Sequence, residues 1–215
     1  MNFNRQEFFR YPSKANEEIR KINGGKLYRF TQPEFYLKMD VGLKMMLSVI
    51  PRWILPDMSI LEYGCNTGKC LSMLHSKGYT NLTGLEISPE ALELGRKHYN
   101  GLEGINIINA PLEDVVNDLP EFDVIYGVGV LMHLPYDLDW VIHTLFSKAK
   151  YLIMTAENEE ETDGYFKFAR NYKDIIEPLG WAQIKKEHGD QYPPYPHSTI
   201  KRVFLRDESQ SFDEE

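Results

Sequence analysis

Gly64 and Gly68 stand four residues apart in ILEYGCNTGKC, after an apolar run and ahead of an amphipathic one. A strand that turns into a helix through such a loop needs left-handed backbone, close approach to a ligand and exposed N–H groups. A nicotinamide fingerprint would place glycines at G-x-G-x-x-G, and the corresponding positions hold Gly64, Asn66 and Lys69. A Walker loop requires a glycine five positions after the first, where this chain has Lys69, and the Gly68-Lys69 pair is followed by Cys70, which has no hydroxyl for magnesium. Two carboxylates narrow the choice. Glu86, 22 residues beyond Gly64 at the end of the next apolar run, is placed to accept hydrogen bonds from vicinal ribose hydroxyls. Glu62 puts a second acid beside the loop, which suits an amino or cationic group better than a pyrophosphate. Singly, either acid has the simpler reading of a helix cap or a lysine partner; together with the loop they point to a nucleoside.

The elements that must position these residues alternate in the rhythm of βαβ units. Apolar runs at 58–63, 81–86, 105–109, 122–126 and 151–155 read as strands. Amphipathic stretches at 68–77, 89–98 and 138–146 read as helices, with a short helical piece near Leu112. A helix over 166–176, ended by Pro178 and Gly180, and strands at 181–186 and 200–205 complete the chain. The last two strands are separated by the proline-rich GDQYPPYPH, too long for a tight turn, and pair antiparallel. Strands that are apolar without strict alternation belong in a sheet covered by helices on both faces. The expected fold is α/β: a Rossmann-like, seven-stranded, mostly parallel sheet with an antiparallel C-terminal strand. Ahead of it, Pro33 opens a helical pattern running to Ile50-Pro51, and Gly24-Gly25 reads as a joint before it. The expected organisation is an N-terminal helical cap at 1–50, a ligand-binding domain at 51–206 and an acidic tail at 207–215.

The ordered set of motifs resembles the class I S-adenosylmethionine-dependent methyltransferases. EYGCNTG resembles the family's first motif at Glu62, Gly64 and Gly68, with Asn66 where the middle glycine is commonest; asparagine tolerates left-handed angles better than other non-glycine residues. Glu86 matches the family's ribose-binding acid, Ile87 the apolar residue against adenine, and INAPLEDV the segment touching the adenine edge, through Leu112 and Glu113. FDVIYGVGVLMHLP matches the run from the fourth strand into the cleft. The resemblance covers about residues 60–205 and implies S-adenosyl-L-methionine as cofactor, with Glu62, Gly64, Asn66, Gly68, Glu86, Ile87, Leu112 and Glu113 binding it.

Methyl transfer from a sulfonium is an in-line displacement, so holding donor and acceptor in line and excluding water is the main task. No metal is needed, and no cysteine, histidine and carboxylate group has ligand spacing for one. His133, just past the fourth strand, is the candidate base, its ordinary pKa of about 6.5 suiting the role; the competing reading is a loop cap through a backbone hydrogen bond. His98 complements a helix C-terminus. Glu157, just beyond the fifth strand, points toward the cleft end and opens an acidic run expected to be a solvated loop with one or two functional members. Tyr11, Tyr28, Phe30, Tyr192 and Tyr195 are aromatic candidates for the acceptor side, with Met39, Met45 and Met46 as cap core. Within the family resemblance, DNA is disfavoured, because GVGV stands where amino-methylating DNA enzymes carry N/D-P-P-Y/F/W and neither cysteine follows a proline.

Composition sets the outer bounds. The 215 residues are 42% hydrophobic and 26% charged, as in an ordinary globular protein, and carry a formal charge of -8. Residues 1–30 hold seven basic side chains against three acidic, interleaved with aromatics, while the remainder is strongly acidic. That local positive arm suits an anionic substrate or an amphipathic arm packed on the main domain, but the whole argues against a dedicated nucleic-acid binder. Two cysteines fit a reducing compartment, and no apolar run is long enough for a bilayer span, so the expectation is a cytoplasmic protein without membrane contact. The expected acceptor is a small molecule, with RNA and protein acceptors, or a non-catalytic cofactor-binding module acting through a partner, as alternatives. The expected state is monomer or homodimer.

Overall fold

The computed structural model describes residues 4–22, 33–38, 40–160, 166–193 and 196–206. The Gly24-Gly25 joint, Tyr28, Phe30, Met39, Tyr195 and the tail 207–215 lie outside the described residues. Seven strands, β1 (Ile60–Tyr63), β2 (Leu82–Leu85), β3 (Asn106–Ile108), β4 (Phe122–Val128), β5 (Ala149–Asn158), β6 (Trp181–His188) and β7 (Thr199–Arg206), form one sheet in the order β3-β2-β1-β4-β5-β7-β6. β2 pairs with β3 and β4 with β5 in parallel, whereas β7 runs antiparallel to both β5 and β6. This is the Rossmann-like, mostly parallel sheet with helices around it that the alternation of the sequence requires.

The chain divides into two compact units. The first joins residues 1–57 to 62–114 and carries α1 (Arg5–Arg10), α2 (Pro12–Ile22), α3 (Pro33–Lys38), α4 (Val41–Leu47), α5 (Ile50–Trp53), α6 (Lys69–Ser76), α7 (Pro89–His98) and α8 (Leu112–Val115). Helix α7 begins where its sequence says it should: Ser88 caps it by accepting from Ala91 N at 3.2 Å, and Pro89 occupies the first turn. Two glycines let its elements close up. A Cβ on Gly84 of β2 would stand 2.6 Å from Leu71 Cδ1 and 2.9 Å from Cys65 Sγ, and one on Gly95 of α7 would stand 2.0 Å from the Thr67 carbonyl oxygen. The helical run expected from Pro33 to Pro51 is three helices instead of one. At the break between α3 and α4, Lys69 Nζ binds the Leu37 carbonyl at 3.0 Å and pairs with the Asp40 carboxylate, so a tertiary contact outweighs the local helical periodicity.

The second unit joins residues 58–61 to 115–215 and carries α9 (Asp139–Ser147) and α10 (Tyr172–Ile176). Ser59 is held by Asp123, whose Oδ2 accepts from both its N and its Oγ at 2.8 and 2.7 Å. The helix expected over 166–176 shrinks to α10. Phe168 N donates to Met132 O at 2.7 Å, Arg170 Nε donates to Asp139 Oδ1 at 2.7 Å, and Asn171 caps α10 by accepting from Lys173 N. Backbone and side chains of 166–171 are thus committed elsewhere than to a helical ladder.

Gly95→Ala should destabilise the fold by about 1–3 kcal/mol or more, since the atom it would strike is backbone and cannot swing away. Denaturant unfolding checks this; a midpoint within error of the parent protein would show that α7 and the loop can separate without cost.

Candidate active site

In the first unit, the turn after β1 alternates in handedness: Gly64, Asn66 and Gly68 have φ of 70°, 50° and 71°. Asn66 takes the left-handed conformation that its residue type tolerates. Gly64 N and Cys65 N both donate to Leu85 O, at 2.7 and 3.0 Å, which fastens the turn to the end of β2. Gly68 N closes it on Cys65 O at 2.8 Å, and Asn66 Oδ1 accepts from Thr67 N at 2.9 Å.

Glu86 is the centre of this unit's site. It is 7% exposed, and its two carboxylate oxygens accept from Asn66 N at 2.9 Å and Ser88 N at 2.8 Å. Burial raises its pKa, while the N–H groups of Ser88, Asn66 and Ile87 act against that rise. Its carbonyl is held in turn by Asn109 Nδ2 at 2.7 Å. Glu62 is buried at the end of β1 beside the Cys70 thiol, whose pKa is pushed well up by its own burial, then by the Glu62 charge and the hydrogen bond between them. Leu112 is buried at the start of α8, and Ile87 is half-buried after β2.

Glu113 has partners that its sequence position did not announce. Its carboxylate takes an ion pair from Arg5 and a hydrogen bond of 3.0 Å from Gln6 Nε2. Ser13 binds Glu90 through both N and Oγ, at 3.1 and 2.7 Å. With the Lys69 bonds at the α3–α4 break, the described N-terminal residues are therefore fastened to α6, α7 and α8 of their own unit. The basic side chains of the arm gave no spacing from which these partners could be read. Gly95 did have a signal, as an isolated glycine inside a helical pattern.

In the second unit, β4 leads through Gly129 into a 3-10 turn, Leu131–His133. His133 N donates to Val130 O, and His133 Nδ1 lies 2.7 Å from Phe166 O. Phe166 has φ of 49°, a left-handed conformation that a phenylalanine adopts at a cost. Glu157 corrects the expectation of a solvated acidic loop: it is the penultimate residue of β5 and has no exposure. Its Oε2 accepts from Val130 N at 2.9 Å and Met132 N at 3.2 Å. Burial pushes its carboxyl up to about 7, against the pull of the Val130, Leu131 and Met132 N–H groups. Tyr192, an aromatic candidate for the acceptor side, donates its hydroxyl proton to Glu187 at 2.9 Å and accepts from the buried Lys201 at 3.1 Å. Among the described residues no three His, Cys, Asp or Glu side chains gather as a metal site, and no helix is long and apolar enough to cross a membrane.

Comparison with known proteins agrees with this geometry. Residues 60–150 match the family described as "Methyltransferase domain". The chain is 30% identical over 113 residues to EEF1A lysine methyltransferase 2 of Mus musculus, covering 51% of this chain and 44% of that protein. It is 29% identical over 83 residues to an O-methyltransferase of Pyrenophora dematioidea, covering 37% of this chain and 31% of the other. The chain thus spans less than half the length of either relative. In fold it is similar to magnesium protoporphyrin IX methyltransferase from Synechocystis PCC 6803 with bound S-adenosylhomocysteine, with a TM-score of 0.66 and 14% identity over 94% of this chain and 100% of that one. Residues 60–150 thus match a methyltransferase domain, and the fold is similar to that of S-adenosylmethionine-dependent methyltransferases solved with S-adenosylmethionine or S-adenosylhomocysteine bound. The residues present fit such a ligand: side-chain-free or left-handed backbone at 64, 66 and 68, with a buried acid at the end of each of the first two strands.

The raised carboxyl of Glu157 has a thermodynamic signature. A carboxyl at about 7 in the fold, against about 4.3 in the unfolded chain, binds its proton more tightly when folded. Its contribution to stability is complete below pH 4.3 and is lost as pH rises through 7, by up to about 4 kcal/mol. Glu157→Gln lacks this titration, so the stability of the variant relative to the parent should rise between pH 5 and pH 8. Parallel denaturation curves at those two pH values check it, and a constant difference would mean that Glu157 ionises as an ordinary carboxylate.

Proposed function

We propose that the protein transfers the methyl group of S-adenosylmethionine to a hydroxyl or amine of a small-molecule acceptor, with His133 taking the acceptor's proton. The observation that carries the proton step is the bond between His133 Nδ1 and the Phe166 carbonyl. A carbonyl only accepts, so Nδ1 carries the hydrogen, and the neutral ring has its basic lone pair on Nε2. The loop-cap reading and the base reading of His133 are therefore compatible: one nitrogen fixes the ring, the other is basic.

On this reading Glu86 meets the ribose, Ile87 and Leu112 the adenine, and Glu62 the amino-acid portion, with Gly64, Asn66 and Gly68 providing the close backbone approach. Glu113 acts at one remove, by anchoring Arg5 and Gln6 beside Leu112. When bound, the sulfonium supplies an already activated methyl group. The acceptor's O–H or N–H proton passes to Nε2 as the new bond to carbon forms and the sulfur–carbon bond breaks. Net charge of -8 favours a small acceptor over a polyanion. A protein acceptor is the second reading, favoured by the likeness to the lysine methyltransferase.

Labelled methyl transfer from S-adenosylmethionine into metabolite, protein and RNA fractions separates the acceptors; label confined to protein would replace the first reading by the second. Glu86→Ala should weaken S-adenosylhomocysteine binding by about 1.5–3 kcal/mol, or one to two decades in Kd by calorimetry, since it removes charge-assisted bonds and the support of Asn66 N. Unchanged affinity in the folded variant would leave Glu86 as a loop brace only. His133→Asn should lower turnover on the labelled acceptor by about 10²-fold with cofactor affinity nearly unchanged. A stable and fully active variant would remove His133 from the mechanism.

A further inference from the structure

Among the described residues, the end of β4 and the turn after it are bonded to the end of β5, at Ala156 and Glu157, and to the segment 166–168. Gly129 N donates to Ala156 O at 2.8 Å, and Val130 N and Met132 N donate to the Glu157 carboxylate. From the other side, Phe168 N donates to Met132 O at 2.7 Å and Phe166 O accepts from His133 Nδ1. The turn that carries His133 is held between a strand and a strap.

The choice of holder is unusual. A buried acid costs more than a neutral acceptor unless its charge is well compensated, and Glu157 faces backbone N–H groups at the distances given above. A serine or asparagine oxygen could accept such N–H groups without that penalty. The carboxylate offers both of its oxygens to Val130 N, at 3.1 and 2.9 Å, and one of them also to Met132 N, and so fixes the turn on both sides of Leu131. A buried carboxyl that gathers two backbone N–H groups at the end of a strand is the pattern of a residue that serves a neighbouring site.

We infer that Glu157 is a positioning residue: by holding Val130 and Met132 it places the His133 ring so that Nδ1 meets the Phe166 carbonyl, fixing the tautomer whose Nε2 is basic. The inference rests on the reading of His133 as the proton acceptor, and its test separates the two. Glu157 touches neither ring nitrogen. It acts through the backbone of the turn, as the carboxylate that orients a catalytic imidazole does in other enzymes, but with peptide groups in place of a direct bond to the ring.

Nitrogen-15 spectra of the His133 imidazole and exchange rates of the Val130 and Met132 amides would be measured in the parent, Glu157→Gln and Glu157→Asp, each with S-adenosylhomocysteine bound. The amide of Gln would oppose an N–H donor to Val130, and Asp keeps the charge but falls one methylene short. The expected result is amide exchange at both positions faster by about tenfold or more, and a His133 ring that passes from Nδ1–H to a tautomer mixture. S-adenosylhomocysteine affinity should stay within about twofold. Whichever variant folds gives the reading: parent-like ring signals and amide protection in a folded variant would overturn the inference. If His133→Asn keeps full methyl transfer while the Glu157 variants still change the ring, the proton-acceptor reading fails and the positioning of the ring stands. If His133→Asn is inactive and the ring is unchanged in the Glu157 variants, the reverse holds.

Discussion

Glu86 stands where two connections meet, the turn from β1 into α6 and the entry into α7. With one oxygen on Asn66 N and the other on Ser88 N, it ties together two stretches of chain that local propensity alone would leave independent. The rest of the first unit is consistent with that tie. Asn109 holds the Glu86 carbonyl, Leu85 O receives Gly64 N and Cys65 N, and Gly95 lets the Thr67 carbonyl come within reach of α7. Removing the carboxylate would leave the N–H of the turn's middle residue, Asn66, without its acceptor, so cofactor binding and loop geometry are expected to depend on one side chain.

The second unit solves a similar problem with different means. There the turn after β4 is short and contains no glycine beyond Gly129, and the carboxylate that holds it comes from the neighbouring strand. Both units use a buried acid at the carboxyl end of a strand to collect backbone N–H groups. In both the burial raises the acid's pKa and the collected N–H groups oppose the rise.

Much of this was legible in the sequence, for stated reasons. The βαβ rhythm follows from apolar runs that must be covered on two sides, and helix 89–98 starts and ends where its amphipathic pattern does, because its N-terminal cap at Ser88 and its Pro89 are local chemistry. The turn at 64–68 was legible because only a few residue types accept left-handed backbone. What failed was whatever depended on distant partners. The 166–176 run has helical composition, but Phe168 and Arg170 are bound to Met132 and Asp139. Glu157 reads as solvated because four further acids follow it within six residues, and nothing in that run marks which carboxylate the strand carries inward. The fastening of the N-terminal arm by Glu113, Glu90 and Lys69 joins residues far apart in the chain, and no periodicity encodes such pairs.

Asn66 also bears on the unfolded chain. A left-handed asparagine carries strain of about 1 kcal/mol that glycine would not, yet glycine would give the unfolded ensemble more freedom to lose, by about 0.4–1 kcal/mol. Glycine would also forfeit the side-chain oxygen that receives Thr67 N. These effects are of similar size and opposite sign. Asparagine at this position therefore exchanges enthalpic strain in the native turn for a smaller entropy loss on closing it, so the turn is strained but partly ordered in advance.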